Sequence, residues 1–279
     1  QGNLYPAGAG GKRAGVEINT GGERVAPSPG ENGRALTIPE IQDIIGKFGA
    51  AAAGAKSAGF DFVEVHGAHG YLPCRFFSPL TNHRTDRYGG DLAGRMRFGL
   101  ECVEAIRAAV GPDYPIFYRL GAEENGPGGV TLKDSIPYAR ELERAGVDCL
   151  NISVGIPMPH LQASPSRRYA MGTFAHLAAA VKAQVKVPVV AVGRIQTGQV
   201  AEDILSQGKA DLVAIARPLM CDAFWPKKVR EGREAEIVVC DCCNVNCFSP
   251  IEKRRLPPDA PLCHFNSRLG REWEIPAPE

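Results

Sequence analysis

The stretch FDFVEVHGAHGYLPCRFFSPLTNHRTDRY, Phe60 to Tyr88, decides the fold. Phe60, Phe62, Val63 and Val65 make a short β-rich run. The chain then breaks at Gly67 and Gly70, and His66, His69 and Tyr71 stand beside those breakers. Taken singly, a histidine near a strand end is usually a satisfied structural group, and a tyrosine usually packs with its hydroxyl hydrogen-bonded. Three such side chains within six residues, where a strand passes into a loop, match the place where a (β/α)8 barrel carries its catalytic groups.

Working outward, TIPEIQDIIGKFGAAAAGAKSAG reads as a helix. Thr37 is its N-cap, Glu40 stands three residues on, and Ile41, Ile44, Ile45 and Phe48 keep a 3.6-residue period. Gln1 to Gly33 is rich in Gly with no apolar period and reads as loop. Beyond the signature stretch, helix Leu92–Val110 closes at Gly111–Pro112, and strand YPIFYRL carries Arg119 at its end. Helix Thr131–Ala145, strand VDCLNISV, helix Phe174–Val185, strand VPVVAVG, helix Gln199–Gln207, strand ADLVAIA and helix Ala223–Glu231 follow.

Regular alternation of strand and helix means βα units on a parallel sheet. The fold class expected is α/β, a TIM (β/α)8 barrel. Such a barrel has eight strands and five are counted here, so the chain is expected to enter the barrel after its third strand. An open five-strand set would expose its edges. The expectation is a piece of a longer protein; the alternative is another polypeptide that supplies the missing strands, in which case the protein is an oligomer. Residues 1–233 are assigned to the barrel and 234–279 to a cysteine-rich segment that leads out of it.

The chain has 279 residues and a formal net charge of +1. Its charges are interspersed, which argues against nucleic acid as a partner and for a small molecule. No apolar run is long enough for a bilayer and no secretory signal begins the chain, so a soluble, cytoplasmic protein is expected. Five of nine cysteines crowd between Cys240 and Cys263, which favours a metal or cluster site over disulfides.

HGAHGYLxxxFxSPLTNxRTDxYGG resembles the signature of the Old Yellow Enzyme family of flavin-dependent ene-reductases, in its iron–sulfur branch with 2,4-dienoyl-CoA reductase and trimethylamine dehydrogenase. The similarity runs from about Arg34 onward. It implies bound FMN, with Gly193, Arg194, Ala216 and Arg217, after the last two strands, holding the phosphate. Arg119 would lie by the flavin pyrimidine, and Gln1 would be the glutamine that ends the third strand. Outside the resemblance, a strand-end Gly only turns, an Arg solvates, and Arg119 forms an ion pair with Glu64 or Glu123. The resemblance also implies that His66 and His69 polarise the carbonyl of an α,β-unsaturated substrate and that Tyr71 protonates its α-carbon. The amine-dehydrogenase branch carries tyrosine where His66 stands, which favours a carbonyl substrate. His160, in the loop IPMPH, is a further candidate.

CDCCNVNC followed by PLCHFN is the second signal. On spacing alone, Cys240, Cys243, Cys247 and Cys263 fit a [4Fe–4S] cluster or a structural zinc. The resemblance favours the cluster, with a longer gap before Cys263 than the family pattern and with Cys242 as a competing thiol. Cys74, Cys102, Cys149 and Cys221 read as packing residues. The cluster would pass electrons to the barrel flavin from an FAD- and NAD(P)H-binding domain or subunit, following a segment like REWEIPAPE. The expected function is reduction of an activated C=C bond; an amine dehydrogenase and a non-catalytic electron-transfer subunit are the alternatives.

Overall fold

The computed structural model describes residues 25–30, 33–124, 126–156, 164–244, 247, 262–272 and 274. Gln1 and His160 lie outside the described residues. Five strands form one sheet in chain order, β3 (Val63–Gly67), β4 (Ile116–Gly121), β5 (Cys149–Ser153), β6 (Val189–Ala191) and β7 (Leu212–Val213). They are the five expected. Two-residue strands β1 (Val25–Ala26) and β2 (Arg34–Ala35) pair in parallel ahead of them. β1 falls inside the stretch read as loop, because two residues are too few to show a period.

The chain divides into two compact units, one of residues 1–163 and 176–190, the other of residues 164–175 and 191–279. In the first unit, β3 pairs with β4 and β4 with β5, all parallel. Parallel neighbours need crossovers, and the helices supply them. α1 (Ile38–Ser57) starts as its sequence dictates: the Thr37 side chain caps Glu40 N–H while Glu40 returns to Thr37 N at 2.8 Å, a complete capping box. α1 packs on α3 (Leu92–Val110), with Ile41, Ile44, Phe98 and Cys102 in one core cluster. α4 (Leu132–Arg144) precedes β5, and Val65, Ile116, Tyr118, Leu120, Leu150 and Ile152 are buried strand residues. α2 (Leu72–Phe77), inside the signature stretch, and α5 (Ala175–Lys182) complete the helices that begin in residues 38–182.

Alternation sorts these strands into two faces. Val65, Tyr118, Leu120, Leu150 and Ile152 are fully buried, whereas Glu64, His66, Phe117, Arg119, Asn151 and Ser153 occupy the alternate positions. The register lines up His66 with Arg119 and Arg119 with Asn151. Three polar side chains thus form one row across three strands.

In the second unit, α6 (Gly198–Ser206) is capped by Thr197, α7 (Arg217–Cys221) follows β7, and α8 (Trp225–Arg230) ends where sequence places the last helix. The single helix expected from Ala223 starts two residues later, since Pro226 can enter only in the first turn. Trp225 Nε1 donates to Gln196 O at 3.0 Å, and Gln196 Nε2 donates to Cys240 O, which fixes the start of the cysteine-rich segment.

Candidate active site

β3 delivers His66 at its penultimate position, and the turn after it folds His69 and Tyr71 back over that ring. His69 sits at φ +56°, a left-handed conformation that costs a non-glycine residue energy and is characteristic of functional turns. The His66 and His69 rings are 5.0 Å apart and nearly perpendicular, and the His66 and Tyr71 rings are 4.3 Å apart. The three residues singled out in the sequence are therefore one cluster.

The electrostatics keep both imidazoles neutral at pH 7. Burial, then the Arg119 guanidinium, holds His66 down to about 4; burial, then Arg119 and His66, holds His69 down to about 2. Burial also lowers Arg119 from the usual guanidinium range, against Glu64 and Tyr71, which pull it up. His69 Nε2 shares a 2.7 Å hydrogen bond with Ser153 Oγ, which fixes that edge of the ring. Asn151 Nδ2 donates to Glu64 Oε1 at 3.0 Å.

Three buried atoms of this row, His66 Nδ1, Arg119 Nε and Asn151 Oδ1, find no hydrogen-bond partner among the described residues. A protein rarely buries such groups without satisfying them. Arg119 Nε, a donor, beside Asn151 Oδ1, an acceptor, suits a planar heterocycle with a carbonyl next to an N–H, which is what a flavin pyrimidine presents; His66 Nδ1, donor or acceptor by tautomer, stands at the end of the row. Asn151 and Ser153 escape the motif reading of the sequence. Their signal is present in CLNISV, where polar residues alternate inside an otherwise apolar strand.

The second unit holds the other predicted residues. Gly193 takes φ +106°, and a Cβ there would stand 2.5 Å from the Phe174 ring, so only glycine fits. Arg194 follows at φ +55°, donates to Tyr169 O, and leaves a buried Nε without a partner among the described residues. Ala216 is exposed and precedes α7; Arg217, its first residue, donates to Asn244 Oδ1 at 2.6 Å. An orphaned guanidinium nitrogen and a left-handed strand end fit a phosphate.

Cys240, Cys243, Cys247 and Cys263 line a single cavity together with Arg217, Asn244 and His264. Cys242 is not among its lining residues. It is 2% exposed and packs with Cys221 and Cys240, and Cys263 touches the same cluster. Cys240 is pushed up and Cys242 down to about 6 by their mutual hydrogen bond, with burial opposing and Arg217 and Arg194 supporting the drop at Cys242. Four thiols around one cavity suit an iron–sulfur cluster. Asp241, Cys243 and His264 also bring ligand atoms within 4.8 Å of one another, a donor set open to a single metal ion.

Residues 17–236 match the model of the NADH:flavin oxidoreductase / NADH oxidase family. The chain belongs to that family. A NADH oxidase of Thermoanaerobacter brockii is 47% identical over 91% of this chain and 40% of its own length. A cinnamate reductase of Clostridium sporogenes is 33% identical over 95% of this chain and 43% of its own. Among solved structures, 2-naphthoyl-CoA reductase in complex with 2-naphthoyl-CoA superposes with a TM-score of 0.81 at 35% identity, over 90% of this chain and 39% of that one. Histamine dehydrogenase from Rhizobium sp. 4-9 superposes at 0.78 and 30% identity, over 90% and 37%. These neighbours are TIM-barrel flavoenzymes, and the five-stranded parallel sheet with its intervening helices has the α/β pattern of that fold. The chain spans about two fifths of the length of each of these proteins.

Proposed function

We propose that this chain is the substrate-reducing barrel of an FMN-dependent ene-reductase, with electrons entering through a [4Fe–4S] cluster held by Cys240, Cys243, Cys247 and Cys263. The observation that carries the reading is the pairing of two neutral imidazoles with a tyrosine on one strand-end turn. When bound, FMN would supply the hydride for reduction of an activated alkene. Arg119 would offer a fixed cation to the flavin, where negative charge accumulates on reduction. Gly193, Arg194 and Arg217 would hold the phosphate, with Ala216 lending backbone N–H.

His66 and His69 do the polarising. Both are neutral, so each donates through N–H to the carbonyl oxygen on which negative charge grows, without a proton leaving the ring. Ser153 fixes the His69 ring through Nε2, which assigns the donated N–H to Nδ1. Tyr71 then gives its phenolic proton to the α-carbon, and solvent restores it. The names of the similar cinnamate and naphthoyl-CoA reductases favour an unsaturated acid or thioester.

Similarity to histamine dehydrogenase supports amine oxidation as the second reading. Anaerobic mixing separates the two. The prereduced protein should be reoxidised by an enone or enoyl thioester, while an amine added to the oxidised protein should leave its flavin absorbance unchanged. Bleaching by amine without reoxidation by alkene would reject the ene-reductase reading.

A further inference from the structure

We propose that Glu124 is a positioning residue for the His66–His69–Tyr71 site, acting by clamping three barrel loops to one another; the role in turnover rests on the ene-reductase reading above. Glu124 follows β4 and is 3% exposed. Its Oε2 accepts from Ser78 Oγ at 2.8 Å and from Val130 N at 3.0 Å, and its Oε1 accepts from Ile156 N at 3.0 Å. Ser78 closes the turn after β3, Val130 the loop after β4, and Ile156 stands in the loop after β5. All three donors are neutral, and only a side chain with two acceptor oxygens serves them together.

The clamp reaches the site from both sides. α2 has Tyr71 as its N-cap and Ser78 as its C-cap, so a rigid rod about 9 Å long joins the phenol to the clamp. The rod is tied along its length: Arg75 Nε donates to Gly70 O at 2.7 Å, Thr81 Oγ1 to Arg75 O at 2.8 Å and Asn82 Nδ2 to Phe76 O at 2.6 Å. On the other side, the end of β5 holds His69, through Ser153 Oγ and through Val154 O, which accepts from His69 N at 3.3 Å. Two residues on, Ile156 returns to Glu124.

His69, Tyr71, α2, Ser78, Glu124, Ile156 and Val154 thus close a ring of bonds. One carboxylate bridges the helix that begins at the phenol and the loop that holds the imidazole. Two glycines make room for this side chain, since a Cβ on Gly155 would stand 2.6 Å from Glu124 Cγ, and a Cβ on Gly129 would stand 2.8 Å from Glu124 Cβ. No sequence motif singles out Glu124; it is one of two adjacent glutamates in a Gly-rich loop.

The test uses the full-length flavoprotein with Glu124→Gln, Ser78→Ala and the double change. A glutamine keeps one acceptor oxygen and turns an NH2 toward a backbone N–H, so at least one arm opens. Hydrogen exchange without substrate should quicken in peptides containing His69 and Ile156. Single-turnover reoxidation of reduced flavin by a simple cyclic enone should slow by about tenfold or more in each single variant. Flavin content and the rate of flavin reduction by NAD(P)H should stay within about twofold of the parent. Because both side chains act in one ring, the double variant should be no slower than Glu124→Gln. Unchanged exchange at His69, or losses that multiply in the double variant, would overturn the clamp. A parent protein that reduces no enone removes the proposed reaction, and the exchange result then decides the clamp by itself. If Glu124→Gln does not fold, Ser78→Ala carries both readouts.

Discussion

Two neutral histidines and a phenol divide the work that one charged residue could not do. An imidazolium beside Arg119 would be repelled by the cation, and burial disfavours it further; in the proposed reaction the site would therefore polarise by N–H donation, with proton delivery kept for Tyr71. Tyr71→Phe should lower the rate of alkene reduction by about 10²- to 10⁴-fold while the flavin still reduces normally, seen by stopped-flow of the two half-reactions separately. The histidines also make a prediction about pH. Their folded pKa values lie below the unfolded value of about 6.5, so below that pH the unfolded chain binds more protons than the folded one and stability falls with acidification. The loss begins near pH 6.5 and continues down to about 4 for His66 and further for His69. It is steepest near pH 5, at up to about 1.4 kcal/mol per pH unit for each histidine. Urea melts of the parent and of His66→Asn between pH 7 and 5 check this: the substitution should flatten the slope. By the same sign, the rate of alkene reduction should show no histidine ionisation between pH 6 and 8.

Elements, rather than residues, decide what the sequence makes legible. The start of α1 is written locally: Thr37 and Glu40 form their capping box, and Arg34 adds a bidentate pair to Glu40 at 2.8 and 2.6 Å. Thr37→Ala should cost about 1 kcal/mol in thermal or urea unfolding. Strands β3 to β7 are legible for a similar reason, because apolar runs bounded by glycine recur between helical periods. α2 is not, since its six residues are too short for a period and are hidden in a stretch read for its chemistry. The row Arg119–Asn151 is likewise invisible until the parallel register places the two opposite each other. Gly67 shows how tightly that register is held. A Cβ there would stand 2.3 Å from the Tyr118 ring, whose hydroxyl is buried against Tyr138 at 2.9 Å. Gly67→Ala must displace an aromatic pair beneath the site, so it should destabilise by about 1–3 kcal/mol and lower flavin retention on gel filtration.

At the scale of the whole molecule, the cysteine-rich segment is what would separate this chain from a flavin barrel that meets its reductant directly. Sequence spacing leaves iron–sulfur and zinc open and leaves Cys242 competing with Cys263. The cavity distinguishes these thiols by position: Cys240, Cys243, Cys247 and Cys263 line it, while Cys242 is not among its lining residues and is buried with Cys221 and Cys240. With a cluster in place, anaerobically purified protein should carry about four irons and four acid-labile sulfides per chain. Cys242→Ala should keep them, because it removes a packing thiol. Cys263→Ala should lose most of the iron, because a cuboidal cluster with three protein ligands is left open to solvent. Electron flow gives the decisive contrast in the full-length protein. If the cluster is the bridge, Cys263→Ala abolishes reduction of the barrel flavin by NAD(P)H, yet flavin reduced chemically still passes its electrons to an enone. If zinc is found in place of iron, or if Cys263→Ala leaves NAD(P)H-driven reduction intact, the segment is structural and the barrel takes its electrons by another route.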